Sequence, residues 1–110
     1  MAAPIPSQML EMMASRFRLM GEPTRLAIIH ALIDGVERNV GQIVRDTSRS
    51  EANVSRHLKH LARAKLVTRR KEGLQVFYRL TDLVMEKVCR LVCDAIMEDF
   101  KNQNDDQVES

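Results

Sequence analysis

Residues 50–80 of this 110-residue chain read SEANVSRHLKHLARAKLVTRRKEGLQVFYRL, a helical pattern followed directly by a strand pattern. Ser50 is a favourable N-cap, and the helix after it is predicted to run over residues 51–64. Its apolar residues recur at i, i+4 and i+7, the spacing of one buried face; they are Val54, Leu58 and Leu61. The opposite face is polar and mostly basic, so one side of this helix is expected to lie in a core and the other to stay exposed.

The second part of the stretch predicts a β-hairpin. Residues 66–70 and 75–80 are rich in β-branched and aromatic side chains, which favour strands. Gly73 lies between them and supplies the turn. A basic helix is therefore followed by a hairpin that carries cations near its tip.

Further helices are predicted on both sides of this stretch, because apolar residues recur there at helical spacing. They span residues 7–20 with Ser7 as the cap, 23–34, 40–46 and, after the hairpin, 82–100. Asn39 and Gln42 have the spacing of a capping box at the start of the third helix. Residues 1–5 and 102–110 are expected to be flexible, which leaves one ordered domain of about residues 6–101.

The order of these elements predicts a mainly helical winged helix-turn-helix domain, with four helices, a hairpin wing and a fifth helix. A helix fits the major groove of B-DNA and presents side chains to base edges. The helix before it crosses the backbone, and a basic hairpin beside it can contact phosphates or the minor groove.

Charge is distributed unevenly along the chain. Residues 49–72 contain eight Lys and Arg against two acidic residues, a net charge of +6, whereas residues 98–110 carry −4. A basic middle and an acidic end indicate one face that binds a polyanion. Aromatic residues make up only 4% of the chain, which argues against single-stranded nucleic acid as the ligand because its binders usually stack bases on aromatic rings.

Four segments, in this order, resemble the sequence pattern of the ArsR/SmtB-type regulators: MGEPTRLAI at 20–28, NVGQI at 39–43, NVSRHLKHL at 53–61, and the KLV, RRKEG and YRL groups between 65 and 80. The resemblance covers about residues 14–100. It implies a repressor that binds double-stranded DNA as a homodimer, with the first and last helices forming the interface. The apolar last helix and the methionine-rich first helix agree with that expectation.

The resemblance also implies which side chains meet DNA. Those expected at base edges are Asn53, Ser55, Arg56 and His57; those expected at phosphates are Gln42, Lys59, Arg70 and Lys71, and Ser50 at the helix start completes the set. Arginine can pair with guanine and asparagine with adenine. The backbone N–H of Asn39, at a helix start, is a further candidate for a phosphate.

Two metal-sensing patterns of that family are incomplete in this chain. Residues 37–43 read ERNVGQI and lack the two cysteines of the thiolate site in the third helix. Asp82 and Glu98 match the outer ligands of a second site, but Val84 and Ala95 replace its two histidines. No required cofactor and no confident metal site are therefore expected.

Cys89 and Cys93 are spaced i, i+4, which puts both on one face of the last helix. Three interpretations remain open. The thiols could bind a soft metal or metalloid together with a partner's cysteines, they could be oxidised as a redox switch, or they could be core packing residues.

Other functional classes have less support in the sequence. No nucleophile–base pair or phosphate-cradling glycine loop is evident, so an enzyme is not expected. The alternative from another class is a winged-helix module that binds protein rather than DNA. Two cysteines make no disulfide framework, and neither a signal peptide nor a membrane-spanning run is evident, so we expect a cytoplasmic protein with reduced thiols.

Overall fold

A computed structural model describes residues 3–109, and the side chains of residues 3–104; the remaining residues are Met1, Ala2 and Ser110. In chain order, the elements are α1 (Ser7–Met20), α2 (Pro23–Ala31), β1 (Arg38–Asn39), α3 (Val40–Thr47), α4 (Glu51–Arg63), β2 (Val67–Glu72), β3 (Gln75–Leu80) and α5 (Leu83–Glu109). The predicted winged helix-turn-helix is confirmed. The predicted flexible N-terminus falls partly on Met1 and Ala2, outside the described residues.

Side chains at the helix starts satisfy N–H groups that have no partner within the helix. Asn39 and Gln42 form the predicted capping box of α3, with both hydrogen bonds at 2.8 Å. The Ser50 hydroxyl accepts from the Asn53 N–H at 3.2 Å and caps α4 as predicted. At the start of α1 the prediction is wrong: Pro6 is the N-cap and Ser7 is already helical.

The sheet has three antiparallel strands in the order β1-β3-β2. β2 and β3 form the predicted hairpin, in a register that pairs Arg70 with Phe77. β1 joins the other edge of β3 and was not predicted, because two residues are too few to show a strand period. The wing is therefore fastened along β1 to the start of α3.

The core lies between α2, α3, α4 and the sheet. The predicted core residues Val54, Leu58 and Leu61 are fully buried. They pack with buried residues of the other elements; these are Ile28, Ile29, Leu32, Ile43, Leu66, Val67, Tyr78, Leu80 and Met85. The core thus holds α4 by one face and leaves its other face outside.

α1 and α5 form the outer part of the molecule. α5 has 27 residues, so it extends about 40 Å at 1.5 Å per residue. It continues to Glu109, so the prediction that the last helix ends near Phe100 is wrong. The expected flexibility of residues 102–110 stays a prediction. Residues 101–109 contain neither glycine nor proline, so no residue there breaks the helix. Among the described residues, no helix combines the length and apolar character needed to cross a membrane.

Candidate DNA interface

α4 has two sharply different sides. Its buried side is apolar, with Val54, Leu58 and Leu61 in the core. Its exposed side carries a stripe at i, i+4, i+7 and i+11, made of Ala52, Arg56, Lys59 and Arg63. A straight row of three cations on one helix face suits the groove of a polyanion. Arg63 belongs to this row, although the predicted contacts did not include it; its i+7 spacing from Arg56 was the available signal.

The turn before α4 fixes the helix relative to α2. Ser48 adopts a left-handed conformation with φ of 55°, which ends α3 sharply. The Arg49 guanidinium donates to the Thr24 hydroxyl and to the Thr47 carbonyl, each at 3.2 Å. Arg49 is therefore a structural brace, although it counts among the cations of the basic segment.

Arg56 and Asn53 are joined on the exposed side of α4. The Arg56 Nη2 donates to the Asn53 Oδ1 at 2.7 Å, one helical turn apart. This bond uses the amide oxygen that a bidentate contact to adenine would need. Arg56 is exposed and Asn53 and Ser55 are half-buried, so Arg56 is the side chain of this group that extends furthest from the helix.

His57, predicted to reach a base edge, is buried instead. It is only 8% exposed, and its Nε2 lies 3.7 Å from the Glu22 Oε2 at the start of α2. His57 follows Val54 by three residues and precedes Leu61 by four, and both spacings put it on the buried side of α4. Burial lowers the pKa of the imidazole, although the Glu22 carboxylate acts in the opposite direction.

Some polar groups at the starts of α3 and α4 are already used in capping hydrogen bonds. The Gln42 side-chain oxygen accepts from the Asn39 N–H, so the prediction that this N–H is available to a phosphate is wrong. Gln42 itself is exposed, and its amide nitrogen makes no hydrogen bond among the described residues. Ser50 is exposed as well and can donate its hydroxyl proton while accepting from Asn53.

Arg70 is held within the wing. Its guanidinium contacts the Glu37 carboxylate at 2.9 Å and the Glu72 carboxylate at 2.7 Å, and it lies 4.8 Å from the centre of the Phe77 ring. These contacts raise the pKa of Arg70 and lower that of Glu37. Glu37 lies 33 residues away in sequence, so the pairing had no local signal.

Lys71 differs from its neighbour Arg70. It is exposed near the hairpin tip, and the structure gives it no ion pair among the described residues. Successive strand residues point to opposite faces, so Arg70 and Lys71 lie on different sides of the wing. Of the two predicted wing contacts, Lys71 keeps its charge available and Arg70 is neutralised by carboxylates.

Cys89 and Cys93 lie together along an apolar groove of about 610 Å³ between α1, α2 and α5. Phe17, Met20 and Ile96 line the same groove. Cys89 is half-buried and Cys93 is exposed. Burial raises the pKa of the Cys89 thiol, and the charge of a Cys93 thiolate adds to the effect. No group of three His, Cys, Asp or Glu side chains placed to hold a metal occurs within the described part of the chain.

Comparison with known proteins agrees with this geometry. Residues 20–70, which include α2, α3 and α4, match a family described as a helix-turn-helix domain. The chain is 32% identical over 93 residues to the HTH-type transcriptional regulator KmtR of Mycobacterium tuberculosis, covering 84% of this chain and 68% of KmtR. It is 33% identical over 94 residues to the HTH-type transcriptional repressor SmtB of the same species, covering 86% of this chain and 67% of SmtB.

Solved structures share the fold. The antimony-specific transcriptional repressor AntR superposes with a TM-score of 0.85 over 91% of this chain and 90% of AntR. The two sequences are 22% identical, so this likeness concerns the fold alone. The fold of this chain is therefore shared, over most of its length, with a solved structure.

Proposed function

Since the chain belongs to the ArsR/SmtB-type family of winged helix-turn-helix transcriptional regulators, we propose that it represses transcription by binding operator DNA as a homodimer. It is a DNA-binding transcriptional regulator by family. In the proposed complex, two copies of α4 enter successive major grooves of a near-palindromic operator, about 34 Å apart. The bound dimer excludes polymerase from the promoter, in the cytoplasm.

The exposed stripe of α4 carries the DNA-binding part of the proposal. Arg56 can donate to the O6 and N7 atoms of guanine, the commonest specific contact in the major groove. Asn53 accepts from Arg56 and so holds the guanidinium in place rather than reading adenine itself. Ser55 flanks this pair from a half-buried position.

The remaining polar groups at this face serve the DNA backbone. Lys59 and Lys71 are exposed point charges on α4 and on the wing, and both suit phosphate contacts. Ser50 and Gln42 can each donate from a helix start while keeping their capping bonds. Arg70 is left out of this set because two carboxylates already bind it.

A second copy of the chain is the proposed cover for α1 and α5. Large apolar side chains on both helices are exposed to a degree unusual for a single domain; examples are Phe17 at 57%, Leu91 at 70% and Phe100 at 58%. Contiguous apolar surface of this kind marks an interface. Pairing α1 and α5 with those of another copy removes it from water and adds a second recognition helix.

The decisive experiment measures binding to the DNA upstream of the protein's own gene by fluorescence anisotropy across a salt series. We expect nanomolar binding that weakens steeply as salt rises, because phosphate contacts release counterions. Arg56→Ala is expected to cost about 1–3 kcal/mol and to relax discrimination at one base position. Lys101→Ala removes an exposed cation near the end of α5 and serves as the matched control. Failure to bind this DNA at any salt concentration would support the protein-interaction alternative instead.

The groove that holds Cys89 and Cys93 is the proposed effector site. Soft thiophilic ions prefer thiolate ligands, and one chain offers two thiols on the same helix face. In the proposed dimer the partner supplies a second pair. Each thiol forms a bond from sulfur to a trivalent arsenic or antimony centre and displaces one hydroxide ligand. The thiol proton and the displaced hydroxide leave together as water, so no oxidation is involved.

Arsenite is the probe for this effector site. We expect arsenite to weaken operator binding by about 5–150-fold, the usual range of allosteric coupling, and the Cys89→Ser, Cys93→Ser double variant to be insensitive. The thiol oxidant diamide, tested in parallel, separates metalloid binding from a redox switch. If the double variant still releases DNA with arsenite, the site lies elsewhere. If the wild type ignores both reagents, the cysteines are packing residues.

A further inference from the structure

His57 occupies an unusual place for a polar residue of a recognition helix. It is 8% exposed, points away from the DNA-facing stripe and lies against the start of α2. Its neighbours on the buried side of α4 are Val54, Leu58 and Leu61, all fully apolar. An apolar residue would fill this position without the cost of burying an imidazole.

The imidazole faces a carboxylate that already has a structural task. The Glu22 Oε2 accepts from the Arg25 N–H at 2.9 Å and so caps α2. The same oxygen lies 3.7 Å from the His57 Nε2. A shift of less than about 1 Å would bring this pair to hydrogen-bond distance. One carboxylate oxygen therefore caps α2 and also faces the ring in the middle of α4.

Arg25 extends this cluster to α1. Its guanidinium donates to the carbonyl of Leu19 and, at 3.2 Å, to the carbonyl of Arg18, both at the end of α1. His57, Glu22 and Arg25 thus connect three helices at one point. Arg25 and Glu22 face the ring from α2 and its cap, and the charged or titratable groups of α4 near it are Arg56 and His60.

The other ring nitrogen fixes which tautomer fits. The His57 Nδ1 is buried and has no hydrogen-bond partner among the described residues. Nδ1 is without a partner whether it carries the proton or not, so the difference between the two neutral tautomers lies at Nε2. A proton on Nε2 is directed at Glu22 and gives the carboxylate a donor, whereas a lone pair there would face the negative charge.

We propose that His57 is a positioning residue of the recognition helix: its Nε2–H, directed at the Glu22 carboxylate, sets the angle at which α4 presents Arg56 to the major groove. This inference rests on the proposed function, because the presentation of α4 matters only if α4 reads DNA. Packing alone would leave any residue of similar volume equally good at this position. A positioning role requires a donor at the Nε2 location.

Two amide variants separate these possibilities. His57→Gln places an amide nitrogen close to the Nε2 location, whereas His57→Asn places one close to Nδ1, and His57→Met keeps volume without a donor. We expect the Gln variant to bind the operator duplex within about threefold of wild type, and the Met and Asn variants to bind about tenfold more weakly, the worth of one hydrogen bond to a charged group. Binding to a scrambled duplex is expected to stay unchanged in all three.

The outcomes are distinct. The positioning role is overturned if His57→Met binds the operator as tightly as wild type does. It is also overturned if every variant loses affinity for both the operator and the scrambled duplex in proportion to its unfolded fraction, as measured by circular dichroism. Nitrogen-15 NMR of the wild type adds a test without DNA: the Nε2–H tautomer is expected, and the Nδ1–H tautomer would overturn the proposal. A wild type that binds no duplex would overturn the proposed function as well, whereas equal binding by Met overturns this inference alone.

Discussion

The helix-turn-helix unit and the two outer helices handle apolar residues in opposite ways. In α2, α3 and α4 the large apolar side chains that face the sheet are fully buried, as Ile28 and Leu58 show. In α1 and α5 they are largely exposed, with Leu91 at 70%. The first unit buries its apolar faces in the core with the sheet, whereas the outer helices add only Met20 and Met85 to that core and leave most of their apolar surface uncovered. On the proposed function, the first unit reads DNA and the outer helices associate with a second copy.

The largest expected effect is on the complete core. Leu58→Ala removes a fully buried side chain, so the free energy of unfolding is expected to fall by about 2–5 kcal/mol. Urea denaturation monitored by circular dichroism measures this change. Leu74→Ala is the matched control, because Leu74 is fully exposed at the hairpin tip. If the two substitutions lowered the free energy of unfolding equally, the distinction between a buried Leu58 and an exposed Leu74 would be contradicted.

The association part is tested by Leu91→Asp. A charge on this exposed side chain of α5 is expected to leave the fold intact but to prevent dimer formation. Operator affinity is then expected to fall by about 100-fold or more, because the second recognition helix no longer binds from the same complex. Val36→Asp makes the same change at a site 55% exposed in the loop between α2 and β1, outside α1 and α5. A Leu91→Asp protein that remains dimeric would assign the interface elsewhere.

A smaller effect distinguishes the two neighbouring cations of the wing. Lys71→Ala is expected to reduce the salt slope of operator binding by about one, the value of one phosphate contact. Arg70→Ala is expected to leave that slope unchanged, because Glu37 and Glu72 already neutralise its guanidinium. Anisotropy titrations at several salt concentrations measure both. If Arg70→Ala reduced the salt slope and Lys71→Ala did not, DNA would displace the two carboxylates from Arg70.

The smallest expected effect concerns pH. The pKa of His57 is lower in the folded chain than its ordinary 6.5, so the unfolded chain binds more protons in that range. The neutral His57 therefore makes its full contribution to the free energy of unfolding above pH 6.5. We expect this contribution to decrease as the pH falls below that value. Comparing wild type with His57→Gln at pH 7.5 and 5.5 isolates this contribution, and His60→Gln, exposed on the same helix, is the control. A variant with the same pH dependence as wild type would refute it.

The sequence predicted the features that depend on local pattern. Helical spacing placed Val54, Leu58 and Leu61 in the core, and the capping residues Asn39 and Ser50 lie where the sequence put them. These features need only neighbouring residues to be recognised. His57 could also have been placed correctly, because it shares their side of the helix. Its polarity and the family resemblance directed it to DNA instead.

Other features depend on contacts between distant segments. Glu37 neutralises Arg70 across 33 residues, and no spacing rule connects the two. Strand β1 exists only because β3 lies beside it. The length of α5 was underestimated for a different reason, since an acidic, polar end was read as a flexible tail although it contains no helix breaker. Net charge and polarity alone do not determine where a helix ends.

The central claim is that two copies of this chain act together on one operator. Sedimentation velocity of the chain with a labelled duplex from upstream of its own gene tests it most directly. We expect the mass determined for the free protein to be twice the 12.6 kDa mass of one chain. The complex is expected to contain two chains per duplex. A monomer that binds one chain per duplex with full affinity would contradict the account.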